Sequence, residues 1–127
     1  MHLRVARHTD DLDAIQQFYT EVLNFEVLGS FDKHQNYNGV FLGVPNADWH
    51  FEFTSTPEKA KHHFDEDDVL VLYPETQKAY DVLLETILKN NVSFVTAKNP
   101  YWNENGKMLL DPDGYRIVIS NLKVSGG

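Results

Sequence analysis

Apolar and polar positions along this chain alternate in short runs, interrupted twice by a longer stretch with helical spacing. Leu3 and Val5 face one way and Arg4 and Ala6 the other, which predicts an opening strand over "LRVA". In "TDDLDAIQQFYTEVLN" the residues Ile15, Phe18, Tyr19, Val22 and Leu23 recur at helical intervals. Thr9 or Asp10 can cap that helix, and acids fill its first turn. Three further strands are expected in "FEVLGSF", "NGVFLGV" and "WHFEFTST". The polar stretch "PEKAKHHFDED" then breaks the alternation, and the order begins again. "DVLVLY" reads as a strand and "ETQKAYDVLLETILKNN" as a helix with Ala79, Leu83 and Ile87 on one side. "VSFVT", "KMLLD" and "YRIVIS" read as three strands.

Strand, helix and three strands thus occur twice. One such unit leaves a sheet face open, so two are expected to pair. The predicted organisation is a single α+β domain over residues 1–127, with module one at about 1–57, a connector at about 58–66 and module two at about 67–122. The last strand is entered through Asp111-Pro112-Asp113-Gly114, in which proline fixes φ, the acids cap backbone donors and glycine tolerates positive φ. Beyond it Tyr115, Ile117 and Ile119 alternate with Arg116, Val118 and Ser120. One face belongs to a core, and the mixed face, with Val118 in its middle, looks elsewhere.

Composition narrows the reading. With 127 residues the chain can build one real core. It has no cysteine, which removes disulfides, thiolate zinc sites and a cysteine nucleophile. A net charge of -8 opposes binding to nucleic acid or an anionic membrane. The opening "MHLRVARHTDD" holds no apolar run of signal-peptide or membrane-span type, so the cytoplasm is the expected location. The same charge would tolerate a cationic or neutral ligand. No dinucleotide fingerprint, P-loop or Ser-His-Asp arrangement is present.

Two stretches carry a resemblance. "DLDAIQQFYTEVLNFEVLG" is similar to the D-L-x-x-x-x-x-F-Y-x-x-x-L-G-F opening of the vicinal oxygen chelate superfamily, and "DPDGYRIVIS" to its closing D-P-D-G-x-x-I-E-L. That superfamily holds glyoxalase I, bleomycin-resistance proteins and extradiol dioxygenases. The block "HFEFT" and the loop "NPYWNENG" look most like its single-domain bacterial members. The resemblance implies two βαβββ modules forming a concave half-barrel sheet, the glyoxalase/bleomycin-resistance fold, and commonly a two-fold homodimer. In metal-dependent members, His, Gln or Glu on the first and last strands of each module hold a divalent ion that leaves positions open for two neighbouring substrate oxygens.

Carried onto this chain, those positions are Arg4 where His or Gln would stand, Glu52, Asp68 where His is usual, and Val118 where Glu is usual. Only Glu52 and Asp68 are donors, with His50 as a third if a metal is present. The expectation is therefore no cofactor, with a divalent metal ion on His50, Glu52 and Asp68 as the alternative. Arg4 would stand in for the cation between Glu52 and Asp68, and Val118 would be plain apolar lining. Losing Arg4 from such a buried set would cost ~3–5 kcal/mol.

Other residues read two ways. His50, two positions before Glu52, shares its face and is either a proton shuttle or a polar cavity wall. Tyr101 and Trp102 follow a bend at Pro100 and either stack on a flat or cationic ligand or simply pack. Arg116 is a further binding candidate. His62 and His63 suit a solvated loop, Tyr37 and Trp49 ordinary packing. Gly39 and Gly43, on one face of a strand, suggest close approach of another backbone. The resemblance implies a small-molecule ligand and leaves two functions: a metal-independent binder of the bleomycin-resistance type, or a glyoxalase-like lyase or isomerase with Glu52 as general base, with or without a divalent metal.

Overall fold

The structure, a computed structural model, describes residues 1–125. The chain forms two compact units, Met1–His62 and the part from His63 onward, each with its own sheet.

The first unit follows the expected order. β1 (Leu3–His8) leads to α1 (Leu12–Gln17), then to β2 (Glu26–His34), β3 (Tyr37–Gly43) and β4 (Trp49–Ser55). The strands lie in the order β1-β4-β3-β2, with β1 parallel to β4 and the other pairs antiparallel. Asp11, not Thr9 or Asp10, caps α1 by accepting from the Ala14 amide at 3.0 Å. The helix does not run regularly to Asn24. It widens into a π-helical turn over Phe18–Val22, where the Thr20 hydroxyl bonds back to the Gln16 carbonyl at 2.8 Å. Asn24 then turns the chain with φ 61, a left-handed position where the resembled motif has glycine and which Asn tolerates. All five residues of the expected stripe are buried. They meet an aromatic core in which Tyr19 lies 5.0 Å from Phe53 and Phe25 stacks on Phe51 at 6.0 Å. Trp49 packs against Phe25 and Phe51, as expected.

The second unit departs from the repeat. It contains β5 (Val69–Leu72), α2 (Gln77–Lys89), a short helix α3 (Pro100–Glu104), β6 (Gly106–Leu110) and β7 (Arg116–Ser120), with strand order β5-β7-β6. Thr76 caps α2. Tyr80 and Ile87, with Leu83 half-buried, form the inner face of that helix, whereas Ala79 is exposed. The strand expected over 92–96 is absent. Only Val95 pairs with β6, as a single bridge to Met108. The segment is drawn off by Asn103, whose Oδ1 accepts from the Ala97 amide at 2.8 Å and whose Nδ2 donates to the Ala97 carbonyl at 2.9 Å. The "NPYW" stretch is not a bent loop but a helix start, with Asn99 as cap and Pro100 in the first turn. Both faces of β7 are buried, so Val118 belongs to a core.

Candidate functional site

The open face of the first unit is set by register. Arg4 pairs with His50 and Ala6 with Glu52 across β1 and β4, while Phe41 pairs with Glu52 and Gly39 with Thr54 across β3 and β4. Pleating puts Arg4, His50 and Glu52 on one face, as the alternation in "LRVA" and "WHFEFT" predicted. The Arg4 Nε donates to His50 Nε2 at 2.9 Å, and its NH1 stands 4.0 Å from Glu52 Oε2. The guanidinium also lies over the Phe41 ring, 4.9 Å from its centroid. Arginine stays protonated, so His50 must accept through Nε2. Glu52 is more enclosed than Arg4, its side chain 17% exposed against 51%.

Beside this group a cavity of about 550 Å³ opens at the end of β1 and the β2–β3 hairpin. Glu52, Arg7, Phe31, His34 and Tyr37 are among the residues that line it. His8 and Thr56 also line it and share a hydrogen bond of 2.9 Å. Tyr37, expected to pack, is 49% exposed and faces this space. His62 is not simply solvated: its Nε2 donates to the His8 carbonyl at 2.6 Å. Gly39 and Gly43 do accommodate close neighbours, but these are side chains. The Phe31 ring lies directly over Gly39, and Leu28 covers Gly43.

In the second unit the transferred positions do not gather donors. Asp68 precedes β5, is exposed, and its amide closes a turn onto the Asp65 carbonyl at 3.0 Å. By alternation it shares the parity of Leu70, whereas Val69 and Val71 stand opposite Arg116 and Val118. The expected register at Asp68 is thus corrected: the strand begins one residue later, on valine. Val118 packs with Ala97 and Met108, and Val69, Val71 and Trp102 close over them. Trp102 therefore serves this core, while Tyr101 is 49% exposed and meets Trp102 edge-on at 5.0 Å. Arg116 is held by its own unit, with NH1 donating to the Asp65 carbonyl at 3.4 Å and NH2 4.0 Å from Glu66.

These residues do not fit a divalent ion. An ion near His50 and Glu52 would displace or repel a permanent guanidinium, and His50 already spends its Nε2 lone pair on Arg4. Among the described residues no three His, Cys, Asp or Glu side chains group so as to hold a metal. Among the same residues no helix is long and apolar enough to cross a membrane. Sequence alternation put Arg4, His50 and Glu52 on one face, as the pairing has them, but did not single out Phe31 or His34 and gave Tyr37 to packing. The signal available for these was the small residue Gly39, which the β2–β3 hairpin places opposite Phe31.

Comparison with known proteins places this arrangement. The YycE-like N-terminal domain model matches residues 3–54 and the YycE-like C-terminal domain model residues 67–121. The protein YycE of Bacillus subtilis (strain 168) is 36% identical over 129 residues, an alignment covering 98% of this chain and 91% of the relative. The crystal structure of a YycE protein of unknown function from Bacillus subtilis is similar with a TM-score of 0.84 at 36% identity, over 94% of this chain and 88% of that one. The trypanothione-dependent glyoxalase I of Leishmania major follows at a TM-score of 0.74 and 26% identity, covering 97% and 87%. TnmS3, an antibiotic binding protein from Streptomyces sp. CB03234, shares the fold at a TM-score of 0.68 and 18% identity, covering 95% and 94%. With both halves matched and a relative this similar along nearly its whole length, the chain belongs to the YycE-like family of the vicinal oxygen chelate superfamily.

Proposed function

We propose that this protein binds a small organic molecule in the cavity of its first unit, with no resident metal or other cofactor, acting as a dimeric cytoplasmic binder of the bleomycin-resistance kind. The observation that carries the reading is Arg4, whose guanidinium occupies the space between His50 and Glu52 that an ion would need. The cavity supplies both apolar and polar walls, and its volume of about 550 Å³ suits a small ligand. The name of TnmS3 supports binding without implying chemistry.

The test is elemental analysis of untagged protein after dialysis, followed by a ligand screen by thermal shift. Sub-stoichiometric metal, no loss of stability with chelator, and at least one stabilising compound are expected. One retained equivalent of nickel, zinc, manganese or iron would overturn the reading. Sedimentation equilibrium at micromolar concentration should return twice the mass of one chain; a single-chain mass would remove the dimer.

A second reading rests on Glu52, an enclosed carboxylate lining the cavity. There it would take a proton from a carbon next to a carbonyl and return it to the neighbouring carbon, as the name of the Leishmania major relative suggests. Solvent deuterium entering a 2-oxoaldehyde–thiol adduct with the wild type, and not with Glu52→Gln, would establish this second reading. No exchange above buffer would exclude it.

A further inference from the structure

Gly39 and Phe31 face each other across the β2–β3 hairpin, and the absence of a side chain at Gly39 lets the Phe31 ring lie down on the sheet. A methyl group at Gly39 would overlap three carbons of that ring. Gly39 has no positive φ, so its role is space and not backbone freedom. Phe31 is further held in place by Phe41 at 5.8 Å and by the edge of His34 at 6.5 Å. The outcome is a ring laid flat as part of the cavity wall, with the exposed Tyr37 on the same wall.

The rest of the lining is polar and mostly acidic, with the carboxylates of Glu52 and Glu58 against one guanidinium, that of Arg7. Glu52 offers only acceptor oxygens when ionised, and Arg4 stands behind it at 4.0 Å and outside the cavity lining. Thr54 and the His8–Thr56 pair add hydroxyl and imidazole groups beside it. A ligand that satisfies both Phe31 and Glu52 has a flat face for the ring and N–H donors for the carboxylate.

We propose that the Phe31 ring, laid flat by Gly39, is the stacking floor that selects a planar ring system carrying amino or protonated-nitrogen donors directed at Glu52. This rests on the binding reading given above and names its ligand class. Gly39 acts here as a positioning residue, because it touches the ligand only through Phe31. A side chain at Gly39 would lift the ring into the cavity and remove the floor.

Proflavin, a planar cation with amino groups, serves as probe, followed by fluorescence anisotropy. Xanthone, planar, neutral and without an N–H donor, and cyclohexylammonium, cationic and not planar, serve as comparisons. Wild type should bind proflavin, and cyclohexylammonium should fail to compete. Phe31→Leu and Gly39→Ala should each weaken binding roughly ten-fold, the scale of one aromatic contact, with thermal midpoints within a few degrees of wild type. In the double variant the losses should not add, since Gly39→Ala has nothing left to displace. Glu52→Gln should weaken proflavin and leave xanthone unchanged. Phe31→Leu removes the ring without touching Gly39, so the inference stays testable if Gly39→Ala does not fold. Proflavin binding unaffected by Phe31→Leu, or equal competition by cyclohexylammonium, overturns it. No proflavin binding at all also overturns it, and the wider thermal-shift screen then separates the cases: a hit of another shape leaves the binding reading standing, and an empty screen removes both.

Discussion

Replacing Val118 by glutamate restores the residue type that the resembled motif carries at this strand position, and the structure makes the cost calculable. Val118 is 0% exposed, packed with Ala97 and Met108 and closed by Val69, Val71 and Trp102. The cation two residues away on the same face, Arg116, is already engaged by Asp65 and Glu66. An introduced carboxyl would therefore keep its proton. Holding that proton at pH 7 against an ordinary value of about 4.3 costs about 4 kcal/mol, at 1.36 kcal/mol per pH unit. Burying the acid group and its extra volume adds about 1–3 kcal/mol. The sum, about 5–7 kcal/mol, rivals the entire stability of an ordinary domain. The introduced group has a raised value in the folded state, so its contribution is intact below about pH 4.3 and is lost as pH rises through the folded value. V118E should thus recover about 3 kcal/mol relative to wild type on going from pH 7 to about pH 4.5. V118Q carries the volume and polarity terms without the proton, and should track wild type in its pH dependence. Urea midpoints read from Trp102 in a Trp49→Phe background, which leaves one tryptophan of two, report on this unit. V118E within about 1 kcal/mol of wild type at pH 7 would mean that water or a cation reaches this pocket, and the apolar-lining account would fall.

Three further outcomes follow from the geometry. Arg4→Met should cost about 1 kcal/mol or less in chemical denaturation at pH 7, because the guanidinium is 51% exposed and screened, and not the larger penalty of a buried set; a loss above about 3 kcal/mol would restore the buried-set view. Gly106→Ala should be among the most damaging small substitutions, since a Cβ there would stand 2.5 Å from the Ile119 carbonyl oxygen, a backbone atom that moves only if β6 and β7 part; a melting temperature unchanged from wild type would refute this. Tyr80 has its pKa raised above 10.0, first by burial and then by Asp81, so stability should be lost as pH rises beyond 10.0 and through the folded value. Tyr80→Phe should flatten that alkaline decline, and parallel declines in the two proteins would show that Tyr80 does not contribute.

What could be read in the sequence was what depends on period. The alternation in "LRVA" and "WHFEFT" placed Arg4, His50 and Glu52 on one face, and the stripe from Ile15 to Leu23 became core. What could not be read depends on single side chains reaching across the chain. The run "VSFVT" has strand alternation, yet Asn103 takes the amide and carbonyl of Ala97 out of the ladder, and no pattern in residues 92–96 records that. Pro100 signalled a helix start only together with Asn99 as its cap. Asp68 falls on the other face because pairing sets Val69 and Val71 opposite Arg116 and Val118, and a one-residue difference in register inverts every facing in a strand. The flat Phe31 was hidden because strand pairing, not sequence distance, brings it over Gly39.

The hydrogen bond from Arg4 to His50 also bears on how this lineage can change. While the arginine is present, His50 keeps its proton on Nδ1 and Nε2 is occupied; one side chain silences two metal donors at once. A single codon change at that position would therefore act on more than its own residue. Arg4→His removes the competing charge, frees His50 and Glu52, and adds a third nitrogen or oxygen donor to a face that already carries two. We predict that this one variant takes up zinc or nickel where wild type does not, measured by metal retained through gel filtration; equal retention in the two proteins would argue against it. On this view loss and gain of a metal site are separated by one mutational step, and the cavity beside Glu52 can persist through it.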